Sequence, residues 1–214
     1  MVTFHANGGT FYNDEGDEVG ATRVGYWRAG WEIEMDDWMR PEPGAEDQVF
    51  LGYALTEDAG ENDIVLTWGK EGKYQIPAEP GDSITLYAVW SDGLQVIFDA
   101  GDGSFYDDEG DKEGTTRDGY WRAGWVIDMD DWMRPEPGAE GKVFLGYALG
   151  REATDEDVIL DWGTRYRILD DAREPLTLYA VWGNGVQVTF NANGGIFRND
   201  EGVEDETLRY GNWL

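Results

Sequence analysis

The segment VTFHANGGTFYNDEGD (residues 2–17) returns as VIFDAGDGSFYDDEGD (residues 96–111) and again as VTFNANGGIFRNDEG (residues 188–202). Further along, LYAVW closes the first copy at residues 86–90 and the second at residues 178–182. The starts lie 94 residues apart from Val2 to Val96 and 92 apart from Val96 to Val188. Solenoid units are usually about 20–50 residues and cannot bury their apolar face alone. A longer period suits a small domain with its own core. The chain therefore reads as repeat domain 1 over residues 1–90, a linker over 91–95, repeat domain 2 over 96–182, a linker over 183–187 and a partial third repeat over 188–214. Tandem copies of one domain point to length, avidity or assembly rather than to a single catalytic pocket.

Within one repeat, Val2-Thr3-Phe4 alternates apolar and polar residues as a half-buried strand does. Asn7-Gly8-Gly9 is a turn signal, because Asn and Gly accept positive φ at little cost, and Thr10-Phe11-Tyr12 reads as the returning strand. Trp27, Ala29, Trp31 and Ile33 share one face of a further strand, and Asp36–Met39 reads as a single turn stopped by Pro41 and Pro43. Strands over 49–55 and 84–90 and a hairpin joining 64–68 to 73–76 complete the unit. The fold class is mostly β, with a β-grasp-like α+β arrangement as its variant. Periodicity alone does not fix where a repeat begins, so a unit shifted to about residues 44–132 stays open. Each five-residue linker spans at most roughly 17 Å, and its Gly and Asn residues permit bending.

Composition narrows the function classes. Forty-five acidic residues against 16 basic ones give a net charge of −29. That charge argues against binding nucleic acid, which needs basic patches for phosphate, and against anionic membranes. It favours solubility and would attract divalent cations or basic partners. With no cysteine, disulfides, thiol catalysis and cysteine-ligated zinc are excluded. There is no signal peptide and no apolar run of membrane-spanning length; a segment from the interior of a longer protein has this appearance.

The two ends of the unit, Val2-Thr3-Phe4-His5-Ala6-Asn7-Gly8-Gly9 and Leu86-Tyr87-Ala88-Val89-Trp90, resemble the Listeria–Bacteroides repeat, the B-repeat type of module in internalin-like bacterial surface proteins. The centre is looser: Pro41-Glu42-Pro43 leads into Phe50-Leu51-Gly52-Tyr53, with Tyr53 where that family usually carries Trp, and copy two repeats the departure at Tyr147. Residues 21–40 have the look of an insertion, with a second extension around 67–73. The resemblance implies small β-grasp-like domains strung along an extracellular protein of the bacterial cell surface.

Residues 25–46 and 119–140 agree at 20 of 22 positions. In this block Trp27, Arg28, Trp31 and Trp38, with Trp121, Arg122, Trp125 and Trp132, are candidates for a ligand or interface surface, since Trp and Arg dominate interfaces. The competing reading places the indoles in a core too small for aliphatic residues alone, and Trp38, beside Asp36-Asp37, is the indole expected at the surface. Asp14, Glu15 and Asp17, with Asp107, Asp108, Glu109 and Asp111, form a recurring acidic loop continued by Asp200 and Glu201. Clustered carboxylates of this kind are a weak calcium candidate; no other cofactor is expected, and a solvated acidic turn is the plainer reading.

Catalysis has little support: Asp36 with Asp37, or Glu34 with Asp36, could be imagined as a glycosidase carboxylate pair, but adjacent residues on a turn or strand do not face each other across a sugar. His5 is the only histidine and its counterparts are Asp99 and Asn191. Lys112 and Lys142 correspond to Glu18 and Gln48, and Lys73 to Arg165, so a repeated isopeptide bond is excluded. The expectation is a structural spacer of a bacterial surface protein. Its partners would be other repeats of the same protein or neighbouring copies. Two alternatives stay open: an extracellular filament subunit completed by strand exchange, and an adhesin that binds host or matrix glycan or protein through the Trp block.

Overall fold

The computed structural model describes residues 1–68, 72–77, 79, 83–198 and the strand backbone of 208–213. Repeat 1 contains β1 (Val2–His5), β2 (Phe11–Tyr12), β3 (Glu18–Gly20), β4 (Thr22–Gly25), β5 (Glu32–Glu34), β6 (Gln48–Ala54), β7 (Leu66–Thr67), β8 (Lys73–Gln75) and β9 (Ile84–Asp92). Repeat 2 contains β10 (Leu94–Asp99), β11 (Phe105–Tyr106), β12 (Lys112–Gly114), β13 (Thr116–Trp121), β14 (Val126–Asp128), β15 (Lys142–Ala148), β16 (Arg165–Arg167) and β17 (Leu176–Asn184). Strands β18 (Val186–Asn191) and β19 (Leu208–Trp213) follow. The chain is mostly β. Its helical segments among the described residues are short 3₁₀ turns such as Asp37–Met39 and Asp131–Met133, so the helix that a β-grasp-like arrangement lays on its sheet is not found there. None of those turns is long and apolar enough to cross a membrane.

The main sheet of repeat 1 has the order β4-β1-β9-β6-β7, and that of repeat 2 the order β13-β10-β17-β15. Opening and closing strands lie side by side and parallel: Val2 pairs with Ile84 and Phe4 with Leu86, just as Val96 pairs with Leu176 and Phe98 with Leu178. Each of these two main sheets draws its strands from one sequence repeat. The insertion-like stretch supplies the edge strand β4, antiparallel to β1 with Val2 opposite Gly25.

Two expected pairings are replaced. The Asn7 turn does not fold β2 back on β1; β2 pairs with β3, and Thr10 bridges Glu42. Nor do residues 64–68 and 73–76 form a hairpin: β7 pairs with β6, and β8 pairs with β5. The residues expected as linkers are also ordered into strands. Ser91 and Asp92 pair with Val49 and Gln48, and Gly183 and Asn184 pair with Val143 and Lys142, leaving Gly93 and Gly185 between strands. By compactness the chain divides into Met1–Leu94 with Tyr120–Ala123, and Gln95–Gly119 with Gly124–Leu214.

Alternation along β1 sends Val2 and Phe4 inward, where they meet Phe11, Ile33, Tyr53, Leu66 and Leu86, all buried. Repeat 2 buries the counterparts Val96, Phe98, Phe105, Ile127, Tyr147, Leu160 and Leu178. The Phe-Leu-Gly-Tyr stretch bulges in both copies, with register shifts between Phe50 and Gly52 and between Phe144 and Gly146. Gly52 has φ +144°, and a Cβ there would stand 2.2 Å from the Leu66 carbonyl oxygen; Gly146 has φ +142° and the matching distance to Leu160 is 2.5 Å. Only glycine lets the neighbouring backbone approach this closely. The bulge turns Tyr53 into the core, where its hydroxyl donates to the Met39 carbonyl; Tyr147 does the same to Met133.

Candidate functional site

The Trp block does not form a single strand face. After β4 the chain turns: the Trp31 N–H donates to the Arg28 carbonyl at 3.1 Å, and Gly30 has φ +79°. This turn separates Trp27 from Trp31. Trp27 is half-buried and stacks on Trp38, with ring centroids 6.1 Å apart and planes 13° apart. Both indoles meet Phe4 edge-on, at 5.8 and 5.6 Å, and Tyr53 completes the cluster at 5.1 Å from Phe4. Contacts of this geometry contribute about 0.5–1.5 kcal/mol each beyond the area they bury.

Trp38 is therefore not the surface indole expected from its acidic neighbours. The 3₁₀ turn Asp37–Met39, closed by the Met39 N–H on the Asp36 carbonyl at 2.9 Å, swings Trp38 onto Phe4 and leaves Asp36 and Asp37 in solvent. The exposed indole of repeat 1 is Trp31, at 57%, beside an exposed Arg28. In repeat 2, Trp132 meets Phe98 edge-on at 5.6 Å while keeping 37% of its surface, and Trp121 and Trp125 are half-buried. Arg122 forms an ion pair with Glu61 inside the first compact unit. Within repeat 1, then, Trp27 and Trp38 face the core while Arg28 and Trp31 lie at the surface.

The acidic loop is a self-contained turn. Asn13 Oδ1 accepts from the N–H groups of Glu15 at 3.1 Å and Asp17 at 2.7 Å, and Asp107 Oδ1 accepts from Glu109 at 3.0 Å and Asp111 at 2.8 Å. Asp14, Glu15, Asp17, Asp108, Glu109 and Asp111 are exposed. Among the described residues no three such side chains converge on a point that would hold a metal ion. Asp200 and Glu201 lie outside the described residues.

The exchange of His5, Asp99 and Asn191 has a physical reason. His5 Nδ1 accepts from the Asn7 N–H at 3.0 Å, Asp99 Oδ1 from Gly101 at 2.8 Å and Asn191 Oδ1 from Asn193 at 2.8 Å. The position needs an acceptor that reaches two residues ahead, and all three side chains provide one. Asp99 is otherwise buried and pairs with Arg151 at 2.7 Å.

Sequence reasoning missed Arg23 and Arg117. Arg23 donates to the carbonyls of Tyr12 and Trp38 and lies over the Phe11 ring at 5.5 Å; Arg117 does the same with Tyr106, Trp132 and Phe105. One guanidinium thus ties the acidic hairpin to the Trp-bearing turn, using the planar fork that lysine lacks. The signal was present, since Arg209 holds the same place in copy three. Comparison with protein-family models, characterised proteins and solved structures gives no match to this chain.

Proposed function

We propose that the chain is a spacer segment of a bacterial cell-surface protein, built from tandem β domains that set distance and present other parts of the protein. The observation that carries this reading is where the recurring residues are used. Trp27 and Trp38 pack on Phe4, Arg23 and Arg117 hold backbone carbonyls, and Asn13 and Asp107 close their own turns. The side chains shared by the copies are used to build the same sheet twice, in the same parallel register. A net charge of −29 keeps such an array soluble and self-repelling. The resemblance of residues 2–9 and 86–90 to the Listeria–Bacteroides repeat supplies the cell-surface setting.

Light scattering over a wide concentration range tests the reading: a spacer gives the monomer mass throughout. A mass that rises with concentration would replace it with the filament reading. One observation favours a second role in the first repeat, because Tyr26 and Trp31 are both exposed, at 82% and 57%. A glycan array on which Trp31→Ala behaves like the unaltered chain would remove the adhesin version.

A further inference from the structure

We propose that Asp47, Val49, Glu61 and Gly93 form a docking surface for the Tyr-Trp-Arg-Ala segment at residues 120–123, so that one repeat recognises its successor through the Trp block. The inference stands on contacts inside the first compact unit and does not rest on the spacer role.

That unit takes in Met1–Leu94 together with Tyr120–Ala123, residues that the sequence places in repeat 2. Strand β13 begins in the second unit, where it borders β10, and its last two residues belong to the first. Repeat 1 carries the same Tyr-Trp-Arg-Ala at residues 26–29. There Tyr26 is 82% exposed and Arg28 is exposed, whereas Tyr120 and Arg122 are half-buried. An identical sequence owes such a difference to its surroundings.

Two contacts define those surroundings. The Arg122 guanidinium pairs with the Glu61 carboxylate at 2.5 Å. Glu61 opens the 3₁₀ turn Glu61–Asp63, which Asp63 closes by accepting from the Gly60 N–H at 2.9 Å, so the acid is presented on a fixed turn. The second contact is a close approach at Gly93. Its N–H donates to the Asp47 carbonyl at 2.6 Å, and a Cβ there would stand 2.9 Å from Tyr120 Cβ and 3.0 Å from Val49 Cγ1. A side chain at position 93 would force Tyr120 or its neighbours to shift.

The parts recur one repeat later. Gly185 stands for Gly93, and its N–H donates at 2.8 Å to the carbonyl of Gly141, the counterpart of Asp47. Asp155 opens the matching turn in place of Glu61, and Asp157 closes it by accepting from the Thr154 N–H at 2.8 Å. Strand β19, whose Gly211-Asn212-Trp213 matches Gly119-Tyr120-Trp121, lies against β15, the counterpart of β6. The near-identity of residues 25–46 and 119–140 then has a second cause. Its indoles serve the core of their own repeat, while Tyr and Arg read the repeat before. Charge complementarity of this kind supplies specificity more than affinity.

Charge reversal in the full chain, read by hydrogen exchange and thermal melting, tests the site. Glu61→Arg and Arg122→Glu should each speed amide exchange at residues 61–64 and 93 roughly two- to fivefold, the range supplied by an ion pair of partly exposed groups. The double variant should return the rates to the parent's. Arg28→Glu, the same change in repeat 1, should leave them unaltered. Tyr120→Ala should lower the melting temperature by about 2 °C or more, whereas Tyr26→Ala should not move it. A double variant without rescue, equal effects of the Arg28 and Arg122 changes, or equal shifts from the two tyrosine changes would overturn the proposal.

Discussion

Replacing Tyr53 and Tyr147 together by Phe should lower stability at neutral pH and raise it in alkali. Both side chains are fully buried, and both hydroxyls donate to a main-chain carbonyl, of Met39 and Met133 respectively. Burial pushes each phenol well above its ordinary value near 10, with the nearby Arg23 or Arg117 drawing it partly back. A group whose pKa is raised on folding contributes fully below its unfolded value, and that contribution is lost as pH rises past it. Above about pH 10 the unfolded chain releases a proton that the folded repeat retains, so stability falls by about 1.4 kcal/mol per pH unit per repeat. Phe removes that loss, but leaves the carbonyl without its donor at a cost of about 1–2 kcal/mol. The two stability curves should therefore cross near about pH 11. Urea unfolding of both proteins from pH 7 to 11.5, followed by circular dichroism, measures the difference directly, and subtraction cancels the other titrating groups. Parallel curves that never converge would refute the reasoning, because the tyrosines would then ionise as readily in the fold as outside it.

Gly52→Ala and Gly146→Ala should each cost about 3 kcal/mol or more, since the new Cβ meets the backbone of Leu66 or Leu160 at an unfavourable φ; loss of a folding transition in calorimetry is the readout. Arg23→Lys should cost about 1–3 kcal/mol and raise amide exchange in the 11–20 hairpin, whereas exchange rates equal to the parent's would sink the clamp. Trp31→Ser should change stability by no more than about 0.5 kcal/mol, against about 2–4 kcal/mol for Trp38→Ala; equal effects would contradict their assigned positions. Thermal melts with calcium and with chelator should coincide, and a higher melting temperature with calcium would restore the acidic loop as a metal site.

Strand faces were legible in the sequence, and strand neighbours were not. Alternation at Val2-Thr3-Phe4 and along ITLYAVW states which side chains point inward, and both segments are strands with those faces buried. The same alternation fits any neighbour, because period two is silent about pairing partners. That is why the sequence is equally consistent with β2 beside β1 and β8 beside residues 64–68, whereas their partners are β3 and β5. At the candidate site, a single φ decided the outcome. Gly30 turns the chain between Trp27 and Trp31, and nothing in Arg-Ala-Gly-Trp distinguishes that turn from a strand interior. Trp38 misled for a related reason: Asp36-Asp37 marks polar surroundings for the backbone, while a 3₁₀ turn aims the indole the other way.

The parallel pairing of β1 with β9, and of β10 with β17, gives each repeat a mechanical character. Tension along the chain pulls β1 by its N-terminal end and β9 by its C-terminal end. Because the two strands are neighbours and point the same way, that pull slides one past the other and loads their hydrogen bonds together rather than one after another. Resistance to forced unfolding is governed by the unfolding rate, and shear loading of a central strand pair slows that rate more than peeling from an edge. Each repeat is thus strongest along the direction in which a tethered chain is stretched.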